Sequence, residues 1–379
     1  MILLVAIAIA VLICVMVRKH FERNWMKGLE IKLGFLNKGV TVNEIAVLEE
    51  EVVNRKKMGL PVLEIKYTTD NSFKFDEKRG TFVSDRLYRK DVYSIKGMQH
   101  IKRKMEFRPT KRGFFGVSSC TVIARDYFMK NIYMCEFEAD THIYVFPRRV
   151  DTAFYRPFYR RMMGEVVSEK RPEEDPFCFR AIREYIPGDP IKQVNWKATA
   201  ATDSLMVNSY ESTGSNRICI VLDGNTAAFF DDEFIVEGGI SLASSLVARF
   251  IRSNLPVALY SNLPDTLTGK EALVDYASTS VQEERVDTAL ARVKRADGLR
   301  PISEIFTRAL EEGGKEAAYV LISSDRTSVT GPVAAEIEKK GYGLNVIVPY
   351  NKREHDRIFD GGEISSLPGY YCPWEVPEL

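Results

Sequence analysis

The stretch RICIVLD, residues 217–223, is a run of five apolar side chains that ends in an aspartate. A short apolar run of this kind indicates a strand buried on both faces, as in parallel sheets. The next segment, DEFIVEGGISLASSLVARFIRSN (232–254), has apolar residues at helical spacing, and PVALYS (256–261) is again a strand pattern. Strand, helix and strand in this order predict a parallel α/β sheet.

The same alternation continues toward the C-terminus. The further patterns are the helices VDTALARVKRA, PISEIFTRALEEG and VAAEIEKKG and the strands AYVLISS and LNVIVP. We therefore predict an α/β domain over residues 215–350 and treat 351–379 as a C-terminal tail. Gly238 and Gly239 lower the helix propensity of the first helix, so we expect them to permit close packing on the sheet.

Residues 31–147 have short alternating apolar patterns, such as VTVNEIAVLEEEVV and KRGFFGVSSCTVIARDYF, which are separated by turn residues. They predict an antiparallel β-sandwich. Seven lysines and arginines between Lys96 and Arg112 form a basic segment, which is either a solvated hairpin face or a surface for anionic lipids. Residues 148–214 are interpreted as a polar linker followed by a distinctive signature segment.

The N-terminus, MILLVAIAIAVLICVMV (1–17), is an unbroken apolar run. As a helix it would be about 25 Å long, which is at the short end for a transmembrane anchor. No basic residue precedes it and no small-residue cleavage pattern follows it, which argues against a cleaved signal peptide. Arg18, Lys19 and Arg23 follow, so the positive-inside rule predicts a single-pass membrane protein with its soluble domains in the cytoplasm. Trp25 is expected to anchor the membrane interface.

The composition limits the function classes. The chain has 379 residues and a net charge of +1, which gives no overall electrostatic basis for binding nucleic acid. Its four histidines are scattered, and its six cysteines form no CxxC pair and are expected to be free thiols. No GxxxxGK[ST] loop is present, so we predict that the chain does not bind ATP through a P-loop.

The signature REYIPGDPIKQVNWKATA (183–200) contains acidic and basic residues but no histidine, and no serine or cysteine with a histidine partner. A nucleophile activated by a neighbouring base is therefore not visible, and Glu184 with Asp189 is the one carboxylate pair that would support catalysis. A structural role is simpler: Asp189 is a helix N-cap followed by proline, and Gly188 suits a turn.

Four other residues of the signature are assigned by their chemistry. Tyr185 and Trp196 are expected to pack against a core and to brace the two domains. Lys197 and Arg183 are the residues that packing explains least, and we predict that they contact a ligand or a partner.

The signature resembles that of the bacterial domain of unknown function 58 family, whose pattern reads R-x-Y-x-P-G-D, a few residues, and [HN]-W-K-x-[ST]-A-R. The matching positions are Arg183, Tyr185, Pro187, Gly188, Asp189, Trp196, Lys197, Thr199 and Ala200. The resemblance covers nearly the whole chain, since this family places transmembrane sequence first, then a β-domain ending near an F-P-R segment (here 146–148), then the signature. Two features depart from the pattern: Ala201 stands where the family usually has arginine, and one apolar run stands where it often has two.

The resemblance implies a von Willebrand factor A-like (Rossmann-like) C-terminal domain, a link to MoxR-type AAA+ ATPases and to cell-envelope or complex-assembly processes, and no established catalytic activity. Domains of this class hold Mg²⁺ with an Asp-x-Ser-x-Ser motif at strand ends. The corresponding residues are Asp223, Asn225 and Ala227, with Asp325 after the AYVLISS strand. Because alanine cannot coordinate a metal, the motif is degenerate, and a metal-free fold in which Asp223 caps the following turn is the alternative.

The sequence therefore favours a membrane-anchored scaffold or adaptor that is not an enzyme, binds a protein partner and needs no cofactor. Two alternatives stay open: a hydrolase that acts on envelope precursors through the signature carboxylates, and a binding module regulated by a divalent metal.

Overall fold

The computed structural model describes residues 2–75, 81–83, 86–168, 174–186, 191–202, 204–212, 217–226, 232–296, 298–314, 317–324, 344–354 and 370–377. The chain divides into two compact units, Met1–Arg148 and Arg149–Leu379. The first is built mainly from antiparallel sheets, and the second combines a largely parallel sheet with helices. The predicted fold class, an α/β part together with a β part, is confirmed at this level.

The first unit is a two-layered sandwich preceded by a helix. Its described elements are α1 (Ile2–Asn24), β1 (Leu29–Phe35), β2 (Gly39–Thr41), β3 (Ala46–Asn54), β4 (Leu60–Asp70), β5 (Phe73–Phe75), β6 (Thr81–Val83), β7 (Arg86–Ile95), β8 (Gln99–Pro109), β9 (Gly113–Arg125) and β10 (Ile132–Phe146). One sheet has the order β1-β3-β8-β5 and the other β2-β10-β9-β4-β7-β6. Side chains from both sheets fill one core between them.

The alternation of side chains along a strand, which predicts the strands of this unit, also directs most charged side chains of β3 outward. In β3 every second side chain points inward, so Leu48 and Val52 are buried while Glu49 and Glu51 face outward. Lys102 of the neighbouring β8 contacts Glu49 at 2.8 Å, and His100 contacts Glu51 at 2.9 Å. Two of the cations along β8, Lys102 and His100, are thus compensated by glutamates of β3.

One charged group of β3 lies inside the sandwich. Glu50 is almost fully buried, near Asp91 and the hydroxyl of Tyr93, which donates a hydrogen bond to its carboxylate. Burial, together with the neighbouring carboxylate of Asp91, raises the pKa of Glu50 to about 7. Asp91 itself accepts a hydrogen bond from Arg103 at 2.8 Å and contacts Arg89 at 3.2 Å.

This buried carboxylate predicts a specific pH dependence. The folded state keeps the proton of Glu50 up to a pKa of about 7, whereas the unfolded state loses it near 4.5. Unfolding between these values therefore releases a proton, so the stability of the wild-type sandwich falls as pH rises from 4.5 to 7. Glu50→Gln should remove this pH-dependent loss of unfolding free energy. The loss amounts to at most about 3 kcal/mol at pH 8, because one pKa unit is worth about 1.4 kcal/mol.

Thermal unfolding of the detergent-solubilised full chain from pH 4 to 8 measures this effect. Glu49→Gln, at the outward-facing preceding position of β3, is the matched control and is expected to keep the wild-type profile, because its partner Lys102 stays charged over this range. Parallel pH profiles for wild type and Glu50→Gln would contradict the assignment.

The helix α1 extends beyond the apolar run and ends inside the sandwich. Residues Leu3–Asn24 have a mean hydropathy of 2.2 and are exposed over the apolar part, long enough to cross a membrane. Phe21 is fully buried, and its ring centroid lies 5.5 Å from that of Tyr133. Trp25 is only 7% exposed and also packs on Tyr133. The expectation that Trp25 anchors a membrane interface is therefore wrong, because the sandwich covers its indole.

The second unit contains two sheets. Its described elements are α2 (Thr152–Ser168), β11 (Glu174–Glu184), α3 (Trp196–Thr202), β12 (Met206–Ser212), β13 (Arg217–Leu222), α4 (Asp232–Arg252), β14 (Val257–Pro264), β15 (Glu271–Ala277), α5 (Ser280–Arg292), α6 (Ile302–Gly313), β16 (Ala317–Ile322), β17 (Leu344–Tyr350) and β18 (Tyr370–Glu375). The larger sheet has the order β15-β14-β13-β16-β17-β18, and β11 pairs with β12. Only β15 runs antiparallel to its neighbour among the described pairings of the larger sheet.

Numbered by their sequence order within this sheet, its strands lie 3-2-1-4-5-6. The order reverses between β13 and β16, and in open α/β sheets this switch point forms a crevice at the carboxyl ends of the strands. The helix α4 also has the length and apolar character of a membrane span, but most of it is buried inside this unit, where it packs centrally against the sheet.

Two segments differ from the sequence interpretation. The polar linker contains α2, whose Tyr155, Phe158 and Met162 are buried in the same core as β13. The C-terminal tail contributes β18, which pairs in parallel with β17. Trp374 in this strand is buried. The helix α2 was not predicted because arginines interrupt its apolar spacing. The edge strand β18 was not predicted because a single short strand has too little sequence pattern to be recognised alone. The helix predicted at 333–341 lies outside the described residues.

Arg149 joins the beginning of this unit to two of its helices. Its guanidinium donates to Asp287 at 2.5 Å and to Glu283 at 2.9 Å on α5, and it also reaches Ser244 on α4. Burial raises the pKa of Asp287 to about 6, although the guanidinium of Arg149 acts in the opposite direction. A buried ion pair of this type becomes costly when one partner is removed.

The two glycines of α4 provide a matched test of the packing between the helix and the C-terminal strand. A Cβ added at Gly238 would lie 2.4 Å from Cγ1 of Val376, whereas one at Gly239 would make ordinary contacts at 3.5 Å. Gly238→Ala should therefore lower the free energy of unfolding by about 1–3 kcal/mol through overpacking. Gly239→Ala should be neutral or raise it by up to about 1 kcal/mol through helix propensity. Equal stability of both variants in denaturant unfolding would show that Val376 does not pack there.

Candidate functional site

The signature forms a small unit around the β11–β12 pair. Val207 of β12 pairs with Arg183 on one side and forms a bridge with Val194 on the other. Val194 and Val207 are buried, and the backbone N–H of Tyr185 donates to the carbonyl of Leu205 at 2.7 Å. The strand ending at Glu184 and the residues leading into α3 are therefore held on opposite edges of β12.

The helix α3 begins at Trp196 and is capped by Asn195. Oδ1 of Asn195 accepts the N–H of Ala198 at 3.0 Å, and Nδ2 donates to Oδ1 of Asn208 at 2.8 Å. The capping role that we assigned to Asp189 is thus filled by Asn195 for this helix, six residues later, because residues 191–193 form a separate 3-10 turn. Gly188 and Asp189 themselves lie outside the described residues.

Trp196 is 67% exposed. The expectation that it packs against a core is wrong, because the first turn of α3 directs it to solvent. Lys197 and Glu184 are also exposed, whereas Tyr185 is half-buried. Arg183 is half-buried and donates to the carbonyl of Glu184 at 3.0 Å. Further exposed apolar residues of the unit are Ile182, Ile186, Ile191 and Leu205.

This arrangement has the chemistry of a binding surface. The segment presents a tryptophan, several aliphatic side chains and the cation of Lys197 to solvent. Its sequence contains no histidine. Glu184, the described member of the carboxylate pair, is exposed. Carboxyl groups that act as acid catalysts instead have their pKa adjusted by burial and by close neighbours. Exposed apolar groups of this kind mark contact surfaces for partners.

A second cluster lies at the switch point of the larger sheet. Asp223 follows β13 and is buried. Its Oδ1 accepts hydrogen bonds from the N–H of Asn225 and from Nδ2 of Asn262, both at 2.9 Å. Its Oδ2 accepts from the hydroxyl of Ser323 at 2.8 Å. Oδ1 of Asn262 accepts the N–H of Gly224 at 2.7 Å, which closes the network.

These contacts are those of a capped turn. Asp223 is the one carboxylate of this cluster among the described residues, and protein hydrogen bonds occupy both of its oxygens. Asp325 lies outside the described residues, and no group of three or more metal-ligating side chains occurs within the described part of the chain. The described residues of this cluster supply a single carboxylate, whereas Mg²⁺ requires several hard oxygen ligands, so the metal site stays a prediction and we derive no step through a metal.

Asp223 and Asn225 were predicted from the sequence, but Asn262, which donates to the aspartate and accepts from the N–H of Gly224, was not. A signal was present, because Asn262 comes immediately after the PVALYS pattern. Adjacent parallel strands end at the same edge of a sheet, which brings their terminal polar residues together. Asn195 was missed because the aspartate-proline pair upstream is a stronger capping pattern.

The capped turn predicts the outcome of an alanine substitution. Asp223→Ala leaves the donors of Asn225, Asn262 and Ser323 without this acceptor in a buried place, which should cost about 2–3 kcal/mol of unfolding free energy. Ser324→Ala, which removes a hydroxyl 3.5 Å from the carbonyl of Asn225, is the matched control and should cost less than about 0.5 kcal/mol. MgCl₂ and MnCl₂ should not raise the melting temperature. A metal-dependent stabilisation of the wild type that is absent from Asp223→Ala would restore the metal site.

No family model matches the chain. An uncharacterized Bacillus subtilis (strain 168) protein, YeaD, is 25% identical over 199 residues, which are 49% of this chain and 45% of the relative. The chain thus spans less than half the length of the curated relative that it matches.

Similar solved structures include the CARDB domain of a Pyrococcus furiosus protein, with 15% identity, a TM-score of 0.19, and coverage of 31% of this chain and 96% of that one. They also include the third ScaC cohesin of Acetivibrio cellulolyticus, solved with the ScaB dockerin, with 12% identity, a TM-score of 0.22, and coverage of 31% and 98%. A non-cellulosomal cohesin from Archaeoglobus fulgidus has 9% identity, a TM-score of 0.19, and coverage of 35% and 97%. TM-scores this low carry no conclusion about fold or function.

Proposed function

We propose that this protein is a membrane-anchored cytoplasmic adaptor that binds a protein partner through its signature unit. The observation that carries the proposal is the 67% exposure of Trp196 at the start of α3. Tryptophan is enriched among the residues that dominate the binding energy of protein interfaces. Asn195 caps α3, and the buried Val207 pairs with both neighbouring segments. The fold of the unit therefore gives no reason for the indole of Trp196 to be exposed.

The surroundings of Trp196 suit a protein partner. Lys197 follows it in the same exposed turn, and Ile191 precedes it in an exposed 3-10 turn. An aromatic anchor with aliphatic neighbours and a cation at the edge is the composition of an interface core and its rim. The half-buried Arg183 lies on the other edge of the same β12 strand. These residues are the ones we assign to partner contact.

The membrane anchor of the proposal is α1. The apolar part of this helix, Ile2–Val17, is about 24 Å long, which is at the short end for crossing the hydrocarbon layer of a bilayer. No described residue of its apolar run is buried by the rest of the chain. Arg18, Lys19 and Arg23 follow the apolar run, and by the positive-inside rule they favour a cytoplasmic location for the two units.

The family resemblance completes the proposal. The doubly wound sheet supports a von Willebrand factor A-like domain in the second unit. In this proposal the partner is a MoxR-type AAA+ ATPase, as the resemblance of the signature implies, and the adaptor acts in envelope-related or complex-assembly processes. It has no catalytic activity of its own, which agrees with the lack of a nucleophile-base pair in the signature.

Substitution of the exposed tryptophan tests this function. Trp196→Ala should change the free energy of unfolding by less than about 0.5 kcal/mol, because the side chain is largely solvated. The same substitution should reduce recovery of the ATPase in a cross-linking pull-down from native membranes by tenfold or more, since loss of an interface hot spot costs about 2 kcal/mol or more.

Phe154→Ala is the matched control, because it removes another exposed aromatic side chain of the second unit outside the signature. It should leave recovery unchanged. Recovery of no AAA+ ATPase with the wild-type chain would refute the proposed partner, and equal recovery with Trp196→Ala would refute the assigned surface.

A further inference from the structure

Four turns meet at the end of the sandwich that lies beside α1. We call this group the loop cluster, and it comprises residues 25–28, 54–59, 96–99 and 126–131. The hydroxyl of Tyr127 donates to the carbonyl of Gly59 at 2.9 Å, and the N–H of Met98 donates to the carbonyl of Lys56 at 2.9 Å. These bonds join three of the turns directly. The fourth is joined through Arg55, whose N–H donates to the carbonyl of Gly28 at 2.8 Å.

The end of α1 fixes the position of the loop cluster relative to the apolar helix. The ring centroid of Phe21 lies 5.5 Å from that of Tyr127. Phe21 follows the last apolar residue of the run, Val17, by four residues, which is about 6 Å along a helix. The headgroup layer on each side of a bilayer is about 5–8 Å thick. A membrane crossed by α1 therefore places the loop cluster at headgroup level.

The loop cluster presents apolar side chains to solvent. Phe128 is 51% exposed and Met98 is 71% exposed, and Tyr127 and Met129 are also exposed. The turn that carries three of them is ordered by Asp126, which accepts the N–H of Lys130 at 2.9 Å. The apolar tip is thus held outward by the fold, although its exposure to water is unfavourable.

Each of the four turns of the loop cluster carries an exposed lysine, namely Lys27, Lys57, Lys96 and Lys130. All four are exposed, and none of their ammonium groups has a hydrogen bond or an ion pair within the described part of the chain. Lys102 and His100 of β8 are compensated by glutamates of β3, but these four are not. Lysine near an anionic leaflet contributes about 1 kcal/mol of attraction per residue.

We infer that the loop cluster binds the surface of the same bilayer that α1 crosses. The tip formed by Tyr127, Phe128 and Met129 enters the headgroup layer, and the lysines contact anionic lipid phosphates. Aromatic side chains with flanking cations are typical of membrane interfaces. This inference rests on the membrane anchor of the proposed function. It adds that the sandwich contacts the membrane surface directly, in addition to its attachment through α1.

Quenching by brominated lipid tests the inference on the full chain. Phe128→Trp places an indole at the tip, and Ile45→Trp is the control. Ile45 is an exposed residue just before β3, at the other end of this nine-residue strand, about 30 Å from the loop cluster. Both variants and the wild type are reconstituted into vesicles of phosphatidylglycerol and phosphatidylcholine, with the phosphatidylcholine either plain or brominated near the glycerol end of its acyl chains.

The expected result is a loss of most of the emission that F128W adds, and no loss of the emission that I45W adds. Replacing phosphatidylglycerol by phosphatidylcholine should weaken the quenching of F128W, because the lysines lose their anionic partners. Extraction with alkaline carbonate separates the two hypotheses. Unquenched F128W in protein that resists extraction would overturn the inference while leaving the anchor intact. Unquenched F128W in protein that is extracted would overturn both, and equal quenching of F128W and I45W would show contact that is not specific to the loop cluster.

Discussion

Removal of apolar side chains from water organises both units of this protein. Between the two sheets of the sandwich, and on both faces of the larger sheet of the second unit, apolar residues are almost completely buried. The large apolar side chains that stay exposed include those of the apolar run of α1, the loop cluster and the signature unit around Trp196. Exposure of such surface to water is unfavourable, and these are the groups for which we have proposed a membrane or a partner.

Buried polar groups are arranged by the same constraint. Asp223 is removed from water but keeps three protein hydrogen bonds, so its burial costs little. The network fixes the turn at the switch point of the sheet, where related architectures place ligands. Glu50 is satisfied less completely, and its raised pKa is the sign of that cost. The two carboxylates therefore differ in kind: one stabilises a turn, and the other makes the sandwich sensitive to pH.

The sequence predicted the elements whose signals are local. The apolar run of α1, the alternation of β3 and the strand-helix order from 217 onward were each strong enough to place an element. It did not predict α2, because arginines interrupt the apolar spacing and Pro157 suggests a break. It did not predict β18, which pairs with β17 and is followed by Val376, a residue that packs close to Gly238. At the candidate site Lys197 is exposed, while Trp25 and Trp196 exchange the buried and exposed roles assigned to them.

The sequence by itself therefore determined the classes of secondary structure, the apolar N-terminal helix and the residues of the signature. Each of these depends on side chains within a few residues of one another, and hydrophobic period records such relations directly. Only the tertiary structure decided which tryptophan is buried, which asparagine meets Asp223 and which turns gather beside α1. Those choices depend on contacts between segments far apart in the chain, such as Phe21 with Tyr127, and no local pattern encodes which distant surface will cover a given side chain.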